Sequence, residues 1–133
     1  NRAAEKASAE ATTLFINAIR NMTVEDAWTI LRGDEDAATE YLKRMTSADL
    51  ESKFIPIIND ALETVNATKY YQEVTTLYNK IPLVTPVETD LTNYVTDRAL
   101  DGLFIMVAKE EAKIRKDPLA RTTELLQRVF SQQ

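Results

Sequence analysis

The chain has 133 residues, a net charge of −5 at neutral pH, and no histidine or cysteine. Without these two residue types it lacks the commonest general base, the commonest transition-metal ligand, disulfides and cysteine nucleophiles, so we predict no metal or cofactor site. The negative charge argues against nucleic acid as a partner, because affinity for phosphate backbones comes from clustered lysine and arginine.

The length and the spread of apolar residues predict one domain, spanning residues 1–133, with a sizeable buried core. Every apolar run falls well short of the roughly 18 residues that cross a bilayer, so we predict no transmembrane segment in this chain. Because the chain starts at Asn1 without a methionine, we expect it to be the C-terminal part of a longer precursor.

The first predicted helix covers residues 2–21, where apolar side chains recur at helical spacing. Alanines near its start favour close packing against another helix. The alternative is a helix that binds a membrane surface or a partner, and Glu5, Glu10 and the lack of a lysine-rich face argue against it.

A second, short helix is predicted over residues 24–32. Thr23 and Asp26 match a capping box, in which each side chain binds the backbone N–H of the other residue, and Gly33 ends the helix. Trp28 on this helix is interpreted as a core residue, with the wall of a binding groove as the alternative.

Two further helices are predicted over residues 34–45 and 46–66. The acidic residues at the start of the first suit the positive end of a helix dipole better than a calcium-binding loop. Thr46 and Asp49 repeat the capping pattern at the start of the second. Pro56 lies inside this helix and is expected to kink it, because proline removes one backbone hydrogen bond.

The fifth predicted helix is amphipathic, with apolar positions at Tyr70, Val74, Leu77, Tyr78 and Ile81. Tyr70, Tyr71 and Tyr78 either bury their rings while their hydroxyls reach water, or form an aromatic wall for a ligand. Residues 80–89 contain two prolines and several β-branched residues, so we predict a loop that is either pinned to the core or open to a partner.

The longest predicted helix covers about residues 90–116, from a cap at Asp90 to a break before Pro118. Its apolar arc of about 200° is too wide for a surface helix, so we place it at the centre of a bundle. Gly102 in its middle predicts a close approach by another helix. A last helix covers residues 118–130, with an apolar stripe of Leu119, Leu126, Val129 and Phe130.

Charged side chains along and after the long helix allow two interpretations. Two pairs of carboxylates lie on it, Asp97 with Asp101 and Glu110 with Glu111. Such pairs serve acid–base catalysis when their pKa values differ, and otherwise form a solvated acidic face. Arg98 lies three residues before Asp101, which suits a surface ion pair. Arg2 and Arg121 lie near the two ends of the chain, where an arginine can tie helices together through bidentate bonds to a carboxylate.

Several short segments distributed over nearly the whole chain carry a family resemblance. They are Asn1–Glu5, Asp36–Thr39, Phe54–Ile57, Tyr94–Thr96, Ala99–Phe104, Glu110-Glu111, Ile114-Arg115, Asp117-Pro118 and Ala120–Thr123. Through them the chain resembles a bacterial family of exported proteins known as domain of unknown function 4197. The resemblance implies a periplasmic or otherwise extracytoplasmic location, and a secretion signal or lipid anchor on a segment before Asn1. It implies no activity and therefore no functional residues.

We therefore predict an all-α protein, an irregular bundle of about seven helices around the long helix at 90–116. As function we expect a non-catalytic, extracytoplasmic binding or protein-interaction module, whose partner is a protein or a small apolar ligand. The alternative is a carboxylate-based hydrolase acting on an envelope component. The side chains expected on the ligand or partner surface are Trp28, Tyr70, Tyr78, Tyr94, Arg98, Asp101 and Arg121.

Overall fold

The computed structural model describes residues 2–121 and 123–132, apart from the side chains of Leu125 and Leu126. These residues form one 3-10 turn at Pro118–Ala120 and six α-helices, without a strand: α1 (Arg2–Arg20), α2 (Val24–Arg32), α3 (Ala37–Thr64), α4 (Ala67–Tyr78), α5 (Leu91–Lys116) and α6 (Glu124–Phe130). The all-α prediction and the long helix near 90–116 are confirmed. No described helix has an apolar stretch long enough to cross a membrane. The predicted apolar role of Leu126 lies outside the described side chains.

The chain divides into two compact units, each built from two separate stretches of sequence. The first unit is Asn1–Thr12 with Ala48–Leu100, and the second is Thr13–Ser47 with Asp101–Gln133. Three helices, α1, α3 and α5, contribute residues to both units. The division into compact units does not test whether the chain is one domain, so the single domain remains a prediction.

The core of the first unit combines apolar side chains with buried threonines. Its buried apolar residues on α3 are spaced four apart, at Leu50, Phe54 and Ile58. Thr92 and Thr96 of α5 are buried as well. The Thr96 hydroxyl donates to the carbonyl oxygen of Thr92 at 2.7 Å, and the Thr92 hydroxyl donates to Oδ1 of Asn59 at 3.1 Å. These bonds avoid the cost of about 1–3 kcal/mol that an unpaired buried hydroxyl would carry.

The core of the second unit centres on aromatic residues. The rings of Phe15 on α1 and Phe104 on α5 lie 6.1 Å apart between centroids, tilted by 44°. Tyr41 on α3 is buried, and its hydroxyl donates to the carbonyl oxygen of Ala18 at 3.0 Å. Ala18 lies in the last turn of α1, where carbonyls have no partner within the helix. Tyr41 therefore fills the core and caps α1 at the same time.

The predicted capping box of α2 is confirmed. The backbone N–H of Asp26 donates to the Thr23 hydroxyl at 3.0 Å, and the backbone N–H of Thr23 donates to Oδ2 of Asp26 at 3.1 Å. Hydrogen bonds from the hydroxyl and then the backbone of Thr23 lower the pKa of Asp26. The helix therefore begins where the local sequence pattern places it.

The separation between the third and fourth predicted helices is wrong, because α3 runs unbroken from Ala37 to Thr64. Thr46 does not cap a helix. It lies buried inside α3, and its hydroxyl donates to the carbonyl oxygen of Leu42, one turn earlier, at 2.7 Å. A threonine hydroxyl finds a hydrogen-bond partner both at a helix N-cap and inside a helix. The capping pattern alone therefore does not tell these two positions apart. Pro56 lies in the interior of this continuous helix, on its exposed side.

The two glycines have different surroundings, and Gly33 ends α2 as predicted. A Cβ at Gly102 would meet no described atom within 4 Å, apart from its own helix backbone and chain neighbours, so the predicted close approach of another helix is wrong. A Cβ at Gly33 would lie 2.7 Å from Ala37 Cβ and 2.8 Å from the carbonyl oxygen of Thr29. Gly33 is therefore required by crowding in the turn between α2 and α3.

We expect Gly102→Ala to raise the free energy of unfolding by about 1 kcal/mol, because the exposed helical site has room for a methyl group and alanine favours the helix. Gly33→Ala should lower it by about 1–3 kcal/mol, because the methyl group overlaps backbone. Urea denaturation of both variants measures the two changes. A loss of stability in Gly102→Ala would contradict the exposed position of this glycine.

Candidate functional site

Helix α4 carries an apolar stripe that faces solvent. The α4 stripe consists of Tyr70, Val74, Leu77, Tyr78 and, just after the helix, Ile81. Their exposed fractions run from 40% for Tyr78 to 67% for Tyr70. These are the positions that sequence periodicity assigns to the apolar face of the helix, a face that is normally buried. Contiguous apolar surface of this kind on a folded protein marks a site of interaction.

The opposite side of α4 holds the helix in place through polar and aromatic contacts. Thr75 is buried, and its hydroxyl donates to the carbonyl oxygen of Tyr71 at 2.8 Å. The half-buried ring of Tyr71 stacks on Tyr94 of α5, with centroids 6.2 Å apart and planes 25° apart. The helix therefore turns its more polar side inward and its apolar side outward.

The loop after α4 is tied to the helix by side-chain bonds to its backbone. The Asn79 amide donates to the carbonyl oxygen of Val87 at 2.9 Å and accepts from the N–H of Val87 at 2.8 Å. The Tyr71 hydroxyl donates to the carbonyl oxygen of Glu88 at 3.0 Å. Leu83, with a φ of 67°, is fully exposed. The far end of the loop is thus docked, while Leu83 remains in solvent.

Four of the seven side chains expected on a binding surface lie in the first unit. Tyr70 and Tyr78 belong to the α4 stripe, and both are exposed. Tyr94 is exposed beside Tyr71, and the Arg98 guanidinium lies 6.0 Å from the centre of the Tyr94 ring. The structure therefore places the Tyr94 ring of α5 against Tyr71 of α4, and the Arg98 guanidinium near Tyr94.

Trp28, Asp101 and Arg121 lie in the second unit. Trp28 is 49% exposed, so its interpretation as a core residue is wrong. The Arg32 guanidinium lies 4.7 Å from the centre of its ring. Trp28 lines an open groove of about 510 Å³ together with Leu31, Arg128, Val129, Ser131 and Gln132. Asp101 is exposed on α5.

A buried ion pair on α5 clamps the ends of two other helices in the second unit. Glu111 and Arg115 are only 7% and 8% exposed, and Arg115 Nη2 lies 2.7 Å from Glu111 Oε1. The Glu111 carboxylate accepts the N–H groups of Ala38 and Thr39 at 2.8 and 2.7 Å, in the first turn of α3. Arg115 donates to the carbonyl oxygen of Ile30 at 2.7 Å, in the last turn of α2. We call this arrangement the Glu111–Arg115 clamp.

The clamp places each charge where the helix ends favour it. A carboxylate suits the N-terminus of α3, where N–H groups are unpaired, and a guanidinium suits the carbonyl end of α2. Burial alone would raise the pKa of Glu111, but hydrogen bonds from Ala38, Thr39 and Arg115 outweigh it and lower that pKa. The Glu111 carboxylate therefore stays ionised at neutral pH and keeps its hydrogen bonds to α3 and to Arg115.

Arg121 extends the clamp to the end of α5. Its Nε and Nη2 atoms donate to the carbonyl oxygens of Ile114 and Arg115, each at 2.9 Å. The Phe130 ring of α6 lies 5.6 Å from the Arg115 guanidinium and 5.7 Å from that of Arg121. Arg121 thus caps a helix through carbonyl groups, and the predicted carboxylate partner is wrong.

The carboxylate pair Glu110-Glu111 does not act as a unit. Glu110 is exposed and binds Lys113 at 2.7 Å, whereas the Glu111 carboxylate is buried in the clamp. Sequence reasoning missed the role of Glu111 and Arg115. Their four-residue spacing near the end of a long helix was the available signal, but surface ion pairs share it. Among the described residues, no group of three or more acidic side chains is placed to hold a metal ion.

Removing the Glu111 carboxylate leaves the Arg115 guanidinium buried without its counter-charge. We therefore expect Glu111→Ala to lower the free energy of unfolding by about 3–5 kcal/mol. Glu110→Ala is the matched control, because it breaks an exposed pair and should cost less than about 1 kcal/mol. Urea denaturation measures both changes, and similar losses in the two variants would contradict the clamp.

The lowered pKa of Glu111 also predicts a pH dependence. Because the folded protein binds this proton less tightly than the unfolded chain, the contribution is complete above the ordinary glutamate pKa of about 4.3. It is lost as the pH falls from that range through the lowered pKa of the folded state. We expect Glu111→Gln, which cannot titrate, to lose less unfolding free energy than the wild type between about pH 6 and about pH 3. Parallel curves for the two proteins in urea denaturation would count against this assignment.

Comparison with known proteins identifies a family. A family model described as "Protein of unknown function (DUF4197)" matches residues 1–131. No curated protein and no solved structure matches the chain. The match spans nearly all of the 133 residues, in agreement with the resemblance carried by the short segments distributed along the chain. The chain therefore belongs to the DUF4197 family of proteins of unknown function.

Proposed function

We propose that this chain is a non-catalytic protein-interaction module that binds a partner through the α4 stripe. The observation that carries the proposal is the exposure of five apolar residues along three turns of a helix that is otherwise well anchored. Their spacing of four, three, one and three residues matches the anchor positions with which one helix contacts another helix or a groove.

The energetics of the stripe favour a partner. Burying an aliphatic side chain of the size of Val74 or Leu77 stabilises a complex by roughly 1.5–3 kcal/mol each. The helix does not need these residues for its own attachment, because Tyr71 stacks on Tyr94 of α5, Thr75 is buried, and Tyr71 and Asn79 bind the loop that follows. The stripe is therefore available for binding without rearrangement of the fold.

Other features of the molecule support a binding role rather than catalysis. Of the described carboxylates with a shifted pKa, Asp26 and Glu111 are both shifted downward, so neither stores a proton at neutral pH for a general acid. The groove at Trp28 supports a small apolar ligand less well than the stripe supports a protein, because half of its lining residues are polar. The proposal includes an extracytoplasmic location in a bacterium, as the family resemblance suggests.

Site-specific photocrosslinking tests the proposal. A photoreactive amino acid at Leu77 lies on the stripe, and the same amino acid at Gln72 lies on the same helix, exposed but on the other side. In whole cells of the bacterium that makes the protein, we expect crosslinked protein species from position 77 and not from position 72. No crosslinked protein from position 77, or equal yields from both positions, would refute an interaction through the stripe.

A further inference from the structure

We propose that the partner of the α4 stripe is a second copy of this chain, bound with the two α4 helices antiparallel. This inference rests on the proposed function and names the occupant of the same surface. It comes from the charges that flank the stripe and from the order of the residues within it.

The stripe has the spacing of a short coiled-coil seam. Tyr70, Val74, Leu77 and Ile81 are separated by four, three and four residues, which is the alternation of d and a positions in a heptad. The N–H groups of Lys80 and Ile81 bind the carbonyl oxygens of Leu77 and Tyr78 at 3.2 and 3.0 Å. These bonds add one tighter turn after Tyr78, which places Ile81 one turn beyond the end of the helix.

The same register places two opposite charges at equivalent positions beside the seam. Glu73 and Lys80 are seven residues apart, so both occupy g positions, and both are exposed. Neither side chain forms an ion pair or a hydrogen bond with the described part of the chain. An apolar seam flanked by two unpaired, opposite charges is suited to a partner that supplies the complementary charges.

The charges of Glu73 and Lys80 favour pairing with a second copy of the chain, and they favour antiparallel α4 helices. In an antiparallel pair of helices, g positions face g positions, so Glu73 of each copy meets Lys80 of the other. In a parallel pair, g positions face e positions, which are Tyr71 and Tyr78 and carry no charge. The antiparallel pair therefore forms two ion pairs, and the parallel pair forms none.

The apolar residues fit the same two-fold arrangement. With Val74 of one copy opposite Leu77 of the other, Tyr70 falls opposite Ile81, and each contact occurs twice because the patch pairs with itself. A seam of about three turns is short beside the roughly 1,200 Å² or more that stable interfaces bury. The dimer should therefore be weak, forming at micromolar concentrations.

Sedimentation velocity over a range of protein concentrations tests this arrangement. We expect the wild type to form a concentration-dependent dimer. Glu73→Lys alone and Lys80→Glu alone should each weaken it by about tenfold, because two attractive pairs become two repulsive ones. An equimolar mixture of these two variants should form a heterodimer, since every facing pair is then of opposite charge, and the double variant should dimerise like the wild type.

The control is Lys43→Glu, which changes the net charge as Lys80→Glu does but lies at an exposed position on α3, in the second unit. It should leave the dimer unchanged. A wild type that stays monomeric, or single variants that fail to recombine as a heterodimer, would overturn the antiparallel dimer.

The crosslinking experiment separates this failure from that of the proposed function. Products from position 77 with the mass of two chains support the self-association. Products with a different protein only would overturn the dimer and leave the interaction module standing, whereas no product would overturn both. Circular dichroism of each variant confirms that the helices are retained, as expected for substitutions at exposed positions.

Discussion

The second unit depends on one buried ion pair, Glu111 with Arg115. Two charges are expensive to remove from water, and the fold compensates by giving each of them backbone partners at a helix end. The carboxylate binds the first N–H groups of α3, and the guanidinium binds a carbonyl group at the end of α2. One turn of α5 thus fixes where α2 stops and where α3 starts, and Gly33 allows the chain to pass closely between them.

In the first unit, helix α4 is held by polar and aromatic contacts instead of a buried ion pair. The helix is attached by a buried threonine, a stacked tyrosine and an asparagine that binds the following loop, while its apolar residues face water. This reversal of the usual amphipathic order is costly for an isolated protein, because exposed apolar surface gains nothing from folding. A partner that covers the stripe, as we propose, would recover this cost.

The family resemblance and the proposed surface involve largely different residues. Glu111, Arg115 and Arg121 belong to the segments through which the chain resembles its family, and all three bind helix ends. They account for how the polypeptide folds, and none of them is left available to a ligand. The proposed function instead involves α4, a helix that contains none of these segments, so family membership and binding partner are separate questions for this protein.

The sequence by itself determined the features that depend on residues three or four apart. It predicted the all-α class, the capping box between Thr23 and Asp26, and the long helix that ends before Pro118, because capping and helical periodicity act within one or two turns. It did not predict that Thr46 lies inside a helix or that Glu111 is buried, since both depend on contacts with distant parts of the chain. Only the tertiary structure decided which side of α4 faces water, because periodicity identifies an apolar stripe but not what covers it.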